Sequence, residues 1–226
     1  MRETAEPLAP RTTTDMVFDR LHEEILTLKL LPGSKMSEAE VARRMGVSRQ
    51  PVRDAFNRLG NLDLLLIRPQ RATEVRGFSM KQIENARFIR LAVELEVVRR
   101  ACAVWDAACA QRLEANLIKQ RDAIDAGQTD RFHALDYRFH WLICELGGYP
   151  LAFETIEQCK RKVDRLCMLS LSRAEEVTTL LEDHRKMAHA LGTRSTEEAL
   201  ETTRRHLSRL DGAINDIHML HSEYFE

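Results

Sequence analysis

The thirteen residues VSRQPVRDAFNRL, Val47 to Leu59, admit few conformations. Ser48 can accept amide hydrogens as the N-cap of a helix. Pro51 falls in the first turn, where a missing N–H costs nothing because that donor has no intrahelical partner, so the proline marks a start. Val52, Ala55, Phe56 and Leu59 then line one face, while Arg49, Arg53 and Asn57 recur every fourth residue on another. The apolar face must pack against neighbours, and the basic face is left to reach outward.

Those neighbours are legible on either side. Val17, Leu21, Ile25 and Leu28 recur at helical spacing over about 13–28, and the LPG at 31–33 ends that element. Ser37 followed by Glu40 is a capping-box pattern that opens a short helix, with Val41 and Met45 inward and Gly46 past its end. Leu64–Ile67 and Thr73–Arg76 read as two short strands around Pro69-Gln70-Arg71-Ala72, a hairpin. Three helices and a hairpin over 13–77 make a winged helix-turn-helix. Residues 1–12 are rich in Pro, Thr and charge without periodicity, and are expected to be a mobile tail that carries no fold. From 79 to 226 the pattern is wholly helical. Helices are predicted at 80–103, 107–126, 130–146, 150–170, 178–191 and 196–221, the last opening on another capping-box pattern, Ser195 to Glu198. The expected fold class is mainly α: a winged helix-turn-helix followed by an all-α bundle of six or seven helices.

Composition bounds the function. With 44% hydrophobic and 31% charged residues, and only 9 Gly and 6 Pro, this is a globular chain and neither disordered nor collagenous. No apolar run approaches the roughly 18 residues of a membrane span, and the N-terminus lacks a signal-peptide core, so a cytoplasmic location and no membrane partner are expected. Five cysteines, Cys102, Cys109, Cys144, Cys159 and Cys167, form no CxxC pair and read as reduced thiols. Residues 43–76 set eight arginines against Asp54, Asp63 and Glu74, a balance of +5 that leaves −6 for the rest of a chain whose net charge is −1. One segment is built to face a polyanion.

A helix entering a DNA major groove needs guanidinium and amide groups near its N-terminus, and Arg49, Gln50 and Arg53 supply them: Arg for guanine or phosphate, Gln for adenine. A solvated charged face is the alternative. In the helical part, Asp136 and His140 share one face with Leu135, Phe139 and Ile143; His184 accompanies Leu180, Met187 and Leu191; His206 accompanies Ala199, Leu210 and Ile214. Three histidines and a carboxylate on core-facing stripes are costly to bury without partners, and one shared divalent metal would satisfy all four. Hydrogen-bonded core histidines satisfy the pattern as well, and His133 and His189 compete for the same role. Two further readings stay open. A metal-dependent hydrolase would need a general base, for which only Asp183 stands near, turned roughly 100° from His184 on its helix. A structural metal would simply staple the bundle.

The string LPGSKMSEAEVARRMGVSRQPVRDAFNRL, followed by LLLIRPQRATEV, resembles the winged-helix domain of the GntR family of bacterial transcription regulators over about 13–77. By that resemblance Arg49 and Arg53 contact DNA with Ser48 and Gln50 beside them, and Arg71 at the wing tip enters the minor groove. Two positions depart from the pattern. Ala39 stands where many relatives carry arginine, and Ala72 replaces the usual wing-tip glycine, which implies a different turn geometry. ENARFIRLAVELEVVRRACA, DYRFHWLICELGG, EDHRKMAHAL and TRRHL resemble the helical ligand-sensing (FCD-type) domain of the FadR subfamily over about 80–221. That resemblance makes Asp136, His140, His184 and His206 ligands of a divalent metal, Zn or Ni, and sets Arg90 against the carboxylate of a small organic or sugar acid effector; a surface salt bridge to Glu94 is the alternative for Arg90. It further implies no enzymatic activity but a homodimer on a palindromic operator, acting as a repressor that the effector relieves.

Overall fold

The computed structural model describes the backbone of residues 11–170 and 174–226 and, within them, all side chains but those of residues 164, 167–170, 174–176, 210 and 213. Most of the expected tail, residues 1–10, and the Cys167 thiol therefore lie outside the described residues. The chain divides into two compact units: residues up to Phe78 together with Tyr224–Glu226, and Ser79–Glu223.

In the first unit, α1 (Thr13–Leu26) opens on a reciprocal capping box: the Thr12 hydroxyl accepts the Asp15 amide at 3.1 Å, and the Asp15 carboxylate accepts the Thr12 amide at 3.1 Å. Residue 12, expected in the tail, is thus part of the fold. The helix ends short of Leu28, which adopts a positive φ of 57°. α2 (Glu38–Met45) is capped by Ser37, whose hydroxyl accepts the Glu40 amide, and stops at Gly46 with φ 67°. α3 (Arg49–Asn61) buries Val52, Ala55, Phe56 and Leu59 against Val17, Leu21 and Ile25 of α1 and Val41 of α2. Each fully buried Leu or Ile in this cluster contributes about 1.5–3 kcal/mol. Ser48 is extended in the N-cap position, yet its hydroxyl makes no cap bond. The expectation of a side-chain cap there is corrected.

The hairpin gains a partner. β2 (Leu65–Leu66) and β3 (Thr73–Val75) pair antiparallel, and β1 (Lys35–Met36) pairs with β3, giving the order β1-β3-β2. Two residues are too few to show a period of two, which is why β1 left no mark in the sequence. At the wing turn the Arg71 amide donates to the Arg68 carbonyl at 3.3 Å, and the left-handed residue is Gln70, φ 59°. Residue 72 needs no glycine because position 70 makes the turn.

The second unit holds seven helices among the described residues: α4 (Met80–Val104), α5 (Ala107–Asp125), α6 (Thr129–Leu146), α7 (Ala152–Ser170), α8 (Ala174–Gly192), α9 (Thr196–Ser208) and α10 (Leu210–Leu220). The single helix expected over 196–221 is broken at Arg209, whose amide reaches back three residues to the His206 carbonyl instead of four. Ser195 makes no side-chain cap because its ψ of 87° is not the extended conformation a serine cap uses. Trp105, Phe132, Phe139, Leu117 and Leu181 fill the core. Cys102, Cys144 and Cys159 are buried, Cys109 is half-buried, and all four are free thiols. No helix among the described residues is long and apolar enough to cross a membrane.

Candidate metal centre and nucleic-acid face

Burial of the apolar stripe of α3 turns Ser48, Arg49, Gln50 and Arg53 outward, and all four are exposed together at the start of the helix. Arg71 is exposed at the wing turn. Two of these groups are already held. Arg53 donates through Nε and Nη2 to both carboxylate oxygens of Glu38, at 3.0 and 2.9 Å, and Gln50 Nε2 donates to Asp54 Oδ1 at 3.0 Å. The hydrogen bonds from Arg53 hold the Glu38 carboxyl below its usual range, with Arg49 assisting through its charge. Glu38, at the start of α2, was missed by sequence reasoning: glutamate in a first turn is common for dipole reasons alone. Two other exposed arginines of the basic run are already engaged within the unit. Arg58 bonds Asp15 at 2.7 Å and lies over the Phe18 ring, and Arg44 bonds the buried Glu24 at 2.7 Å, so both tie the first unit together.

In the second unit, α6, α8 and α9 bring Asp136, His140, His184 and His206 into one buried cluster whose donor atoms all lie within 4.8 Å of one another. His184 Nε2 is 3.4 Å and His140 Nε2 3.8 Å from Asp136 Oδ1, and the rings of His184 and His206 are centred 4.7 Å apart. His184 Nε2 is buried without a well-formed hydrogen bond. Burial pushes His184 below the usual histidine range and His206 down to about 3, so both imidazoles are neutral at neutral pH. Asp136 stays ionised: burial would raise it, but Lys160, whose Nζ is 3.1 Å from Oδ2, and then His184 bring it well below the usual value.

An acceptor faces the back of each ring, but only at His184 does it form a well-made hydrogen bond. His140 Nδ1 lies 2.8 Å from Glu94 Oε2, His184 Nδ1 2.8 Å from Gln120 Oε1, and His206 Nδ1 3.8 Å from Asp183 Oδ2. Outer acceptors on the far nitrogen are how ligating histidines are oriented. Donors about 2.1 Å from a shared ion lie about 3–4 Å apart, so contraction by less than about 1 Å would close this set on a transition metal. Neutral imidazoles with one carboxylate suit Zn or Ni. The chemistry of the donor set therefore fits a divalent metal. His133 is half-buried and His189 exposed, and neither joins the cluster.

Asp183 is fully buried on the far side of His206, where Arg209 Nη2 donates to it at 2.9 Å. A buried carboxylate held by an arginine is no general base, which removes the residue on which the hydrolase reading depended. Arg90 does pair with Glu94, Nε to Oε1 at 2.6 Å, but the pair is buried and not on the surface, with side chains 11% and 5% exposed. Arg90 Nη2 also comes within 3.4 Å of His140 Nε2, and the residue lines a cavity of about 290 Å³ together with Arg87, Leu91, Val163 and Leu207. Glu94, Gln120 and Lys160 complete the surroundings. The sequence offered only the pairing of Glu94 with Arg90, since which helix backs which histidine is a tertiary fact.

The FCD domain family matches residues 86–209, and the family described as bacterial regulatory proteins, gntR family, matches residues 13–75. The HTH-type transcriptional repressor RspR of Escherichia coli K12 is 36% identical over 209 residues, 92% of each chain. A regulator in an unstable DNA locus of Streptomyces ambofaciens is 30% identical over 95% of this chain and 90% of its own. Among solved structures, E. coli McbR/YncC aligns with a TM-score of 0.69 at 21% identity, covering 95% of this chain and 100% of that one. A GntR regulator from Rhodococcus sp. RHA1 aligns with a TM-score of 0.70 at 21% identity, covering 89% and 96%. These two are likenesses of fold.

Proposed function

The chain belongs to the GntR family of bacterial DNA-binding transcriptional regulators and carries an FCD domain, an arrangement that fits the FadR subfamily, and on that premise we propose a repressor whose helical unit holds a divalent metal and a small carboxylate effector. Its families and relatives are regulators, not enzymes.

The observation that carries the sensory half is the buried cluster of Asp136, His140, His184 and His206, with Gln120 hydrogen-bonded behind His184. These four would hold Zn or Ni, and the ion, when bound, supplies positive charge for a carboxylate to meet. Arg90, which lines a cavity that none of these four residues lines and whose Nη2 comes within 3.4 Å of His140 Nε2, would clamp the same carboxylate through its planar fork. A cavity of about 290 Å³ suits an organic or sugar acid of a few carbons.

For the DNA half, Arg49, Gln50 and Arg53 would enter the major groove, the free Ser48 hydroxyl would meet a phosphate, and Arg71 would reach the adjacent minor groove. Two copies in a homodimer would read the halves of a palindrome, and the effector would act by preferring the dimer geometry that fits the operator poorly.

The test uses zinc-loaded full-length protein and duplexes enriched by it from a random-sequence pool. Arg49→Ala and Arg53→Ala should each weaken binding about ten- to hundredfold, or lower the salt slope by about 1 where the contact is to phosphate. A panel of small carboxylic and sugar acids should contain one that releases the duplex from the wild type and not from Arg90→Met. Retention of no duplex at low ionic strength, or unchanged binding by both arginine variants, would refute the reading.

A further inference from the structure

Two amides buried in α5 are not explained by packing. Asn116 is 5% and Gln120 0% exposed, one turn apart on the face that carries Leu113, Leu117 and Ala123. Hydrocarbon would fill this space without the desolvation that buried amides incur. Their hydrogen bonds form one continuous line. Asn116 Nδ2 donates to the Leu135 carbonyl at 3.2 Å, Gln120 Nε2 donates to Asn116 Oδ1 at 2.7 Å, and Gln120 Oε1 stands 2.8 Å from His184 Nδ1.

The direction of that line is dictated from one end. A backbone carbonyl can only accept, so Asn116 must offer Leu135 its NH₂ group and turn its oxygen to Gln120. Gln120 must then offer NH₂ to Asn116 and turn its oxygen to His184. An amide oxygen facing a ring nitrogen at 2.8 Å requires a hydrogen on that nitrogen. Nδ1 of His184 therefore carries the hydrogen, and the lone pair sits on Nε2, the nitrogen 3.4 Å from Asp136 Oδ1.

We propose that Asn116 and Gln120 are positioning residues that select the tautomer of His184, presenting its Nε2 lone pair to the metal before any metal arrives. The inference rests on the metal reading above and deepens it. The relay begins on the carbonyl next to Asp136 in α6 and ends on His184 in α8, so it holds ligands of two helices in register through a third. The Nδ1 atoms of His140 and His206 face the carboxylates of Glu94 and Asp183 at 2.8 and 3.8 Å without a well-formed hydrogen bond, whereas that of His184 is bonded to a neutral amide. Only at a neutral acceptor does orientation depend on a second residue, because an amide, unlike a carboxylate, has a wrong way round.

The test compares wild type with Gln120→Met, which keeps the length and loses the acceptor, and Gln120→Glu, whose carboxyl, kept protonated by burial, restores the acceptor and still donates to Asn116 Oδ1. Long-range proton–nitrogen NMR of the imidazoles in chelator-stripped full-length protein reads the hydrogen position, with His184 assigned by the signal lost in His184→Gln. Zinc affinity is read by competition with a chromophoric chelator. The wild type should show hydrogen on Nδ1 of His184. Gln120→Met should lose that preference and bind zinc about 10- to 100-fold more weakly, while Gln120→Glu should keep both within several-fold. Hydrogen on Nε2 in the wild type overturns the relay without any variant having to fold. Equal zinc affinity in Gln120→Met, or equal losses in Met and Glu, overturns its role. Failure of the wild type to bind zinc would instead strike the metal reading, and the ring signal would still judge the relay.

Discussion

Zinc added to chelator-stripped protein should raise the melting temperature of the helical unit, and His184→Ala should remove most of that rise. The four proposed ligands come from α6, α8 and α9, so an ion that needs all four binds the folded unit and not the unfolded chain. At free zinc a hundred times its Kd, stabilisation by mass action is about 2.7 kcal/mol. Unfolding entropy near about 2.1 cal/mol/K per residue gives this unit of roughly 145 residues about 0.3 kcal/mol per kelvin, and hence a rise of about 9 °C. If the loss of one ligand weakens binding about a hundredfold, the same zinc contributes about 0.4 kcal/mol, or just over about 1 °C. The variant also starts lower, because the His184 ring is fully buried and stacks on Phe139 with centres 4.1 Å apart. The quantity to compare is therefore the zinc-induced rise, measured by scanning calorimetry at fixed protein concentration. No rise in the wild type, or an equal rise in the variant, would refute the reasoning.

Phe139→Ala should destabilise the helical unit by about 3–5 kcal/mol, because a fully buried ring leaves a cavity, and should weaken zinc binding as His184 loses its stacking partner; denaturant midpoints and chelator competition would show both, and an unchanged affinity would separate the ring from the site. In the first unit, the Thr12 hydrogen bonds and then Arg58 hold the Asp15 carboxyl down to about 2 from an ordinary value of 3.8. A depressed folded pKa contributes stability that is whole above the ordinary value and is lost as pH falls through about 2, so the start of α1 should fray over that window. Amide exchange at Asp15 and Met16 should speed up there in the wild type and not in Asp15→Asn, and a flat profile would refute the capping role.

Much of this protein lay open in its residues because the relevant physics is local. Apolar spacing in Val17, Leu21 and Ile25, the glycine at 46, and a proline confined to a first turn specify helices whatever surrounds them, since each acts within about one turn of the chain. The same locality put Ser48, Arg49, Gln50 and Arg53 on an outward face. Placement of Asp136, His140, His184 and His206 on inward stripes was local too, and so these residues could be named as metal candidates.

What no local pattern carries is which buried groups meet. Sequence spacing could not state that α5 would slide Gln120 behind His184, that Arg209 would draw Asp183 away from any base's role, or that Glu38 of one helix would grip Arg53 of the next. Nor could two residues at Lys35–Met36 announce a strand, which exists only because β3 lies beside it. Periodicity decides which side of a helix avoids water. The partner found on that side is settled only when helices distant in sequence pack, because a buried polar atom must take whatever complementary group the fold delivers within reach.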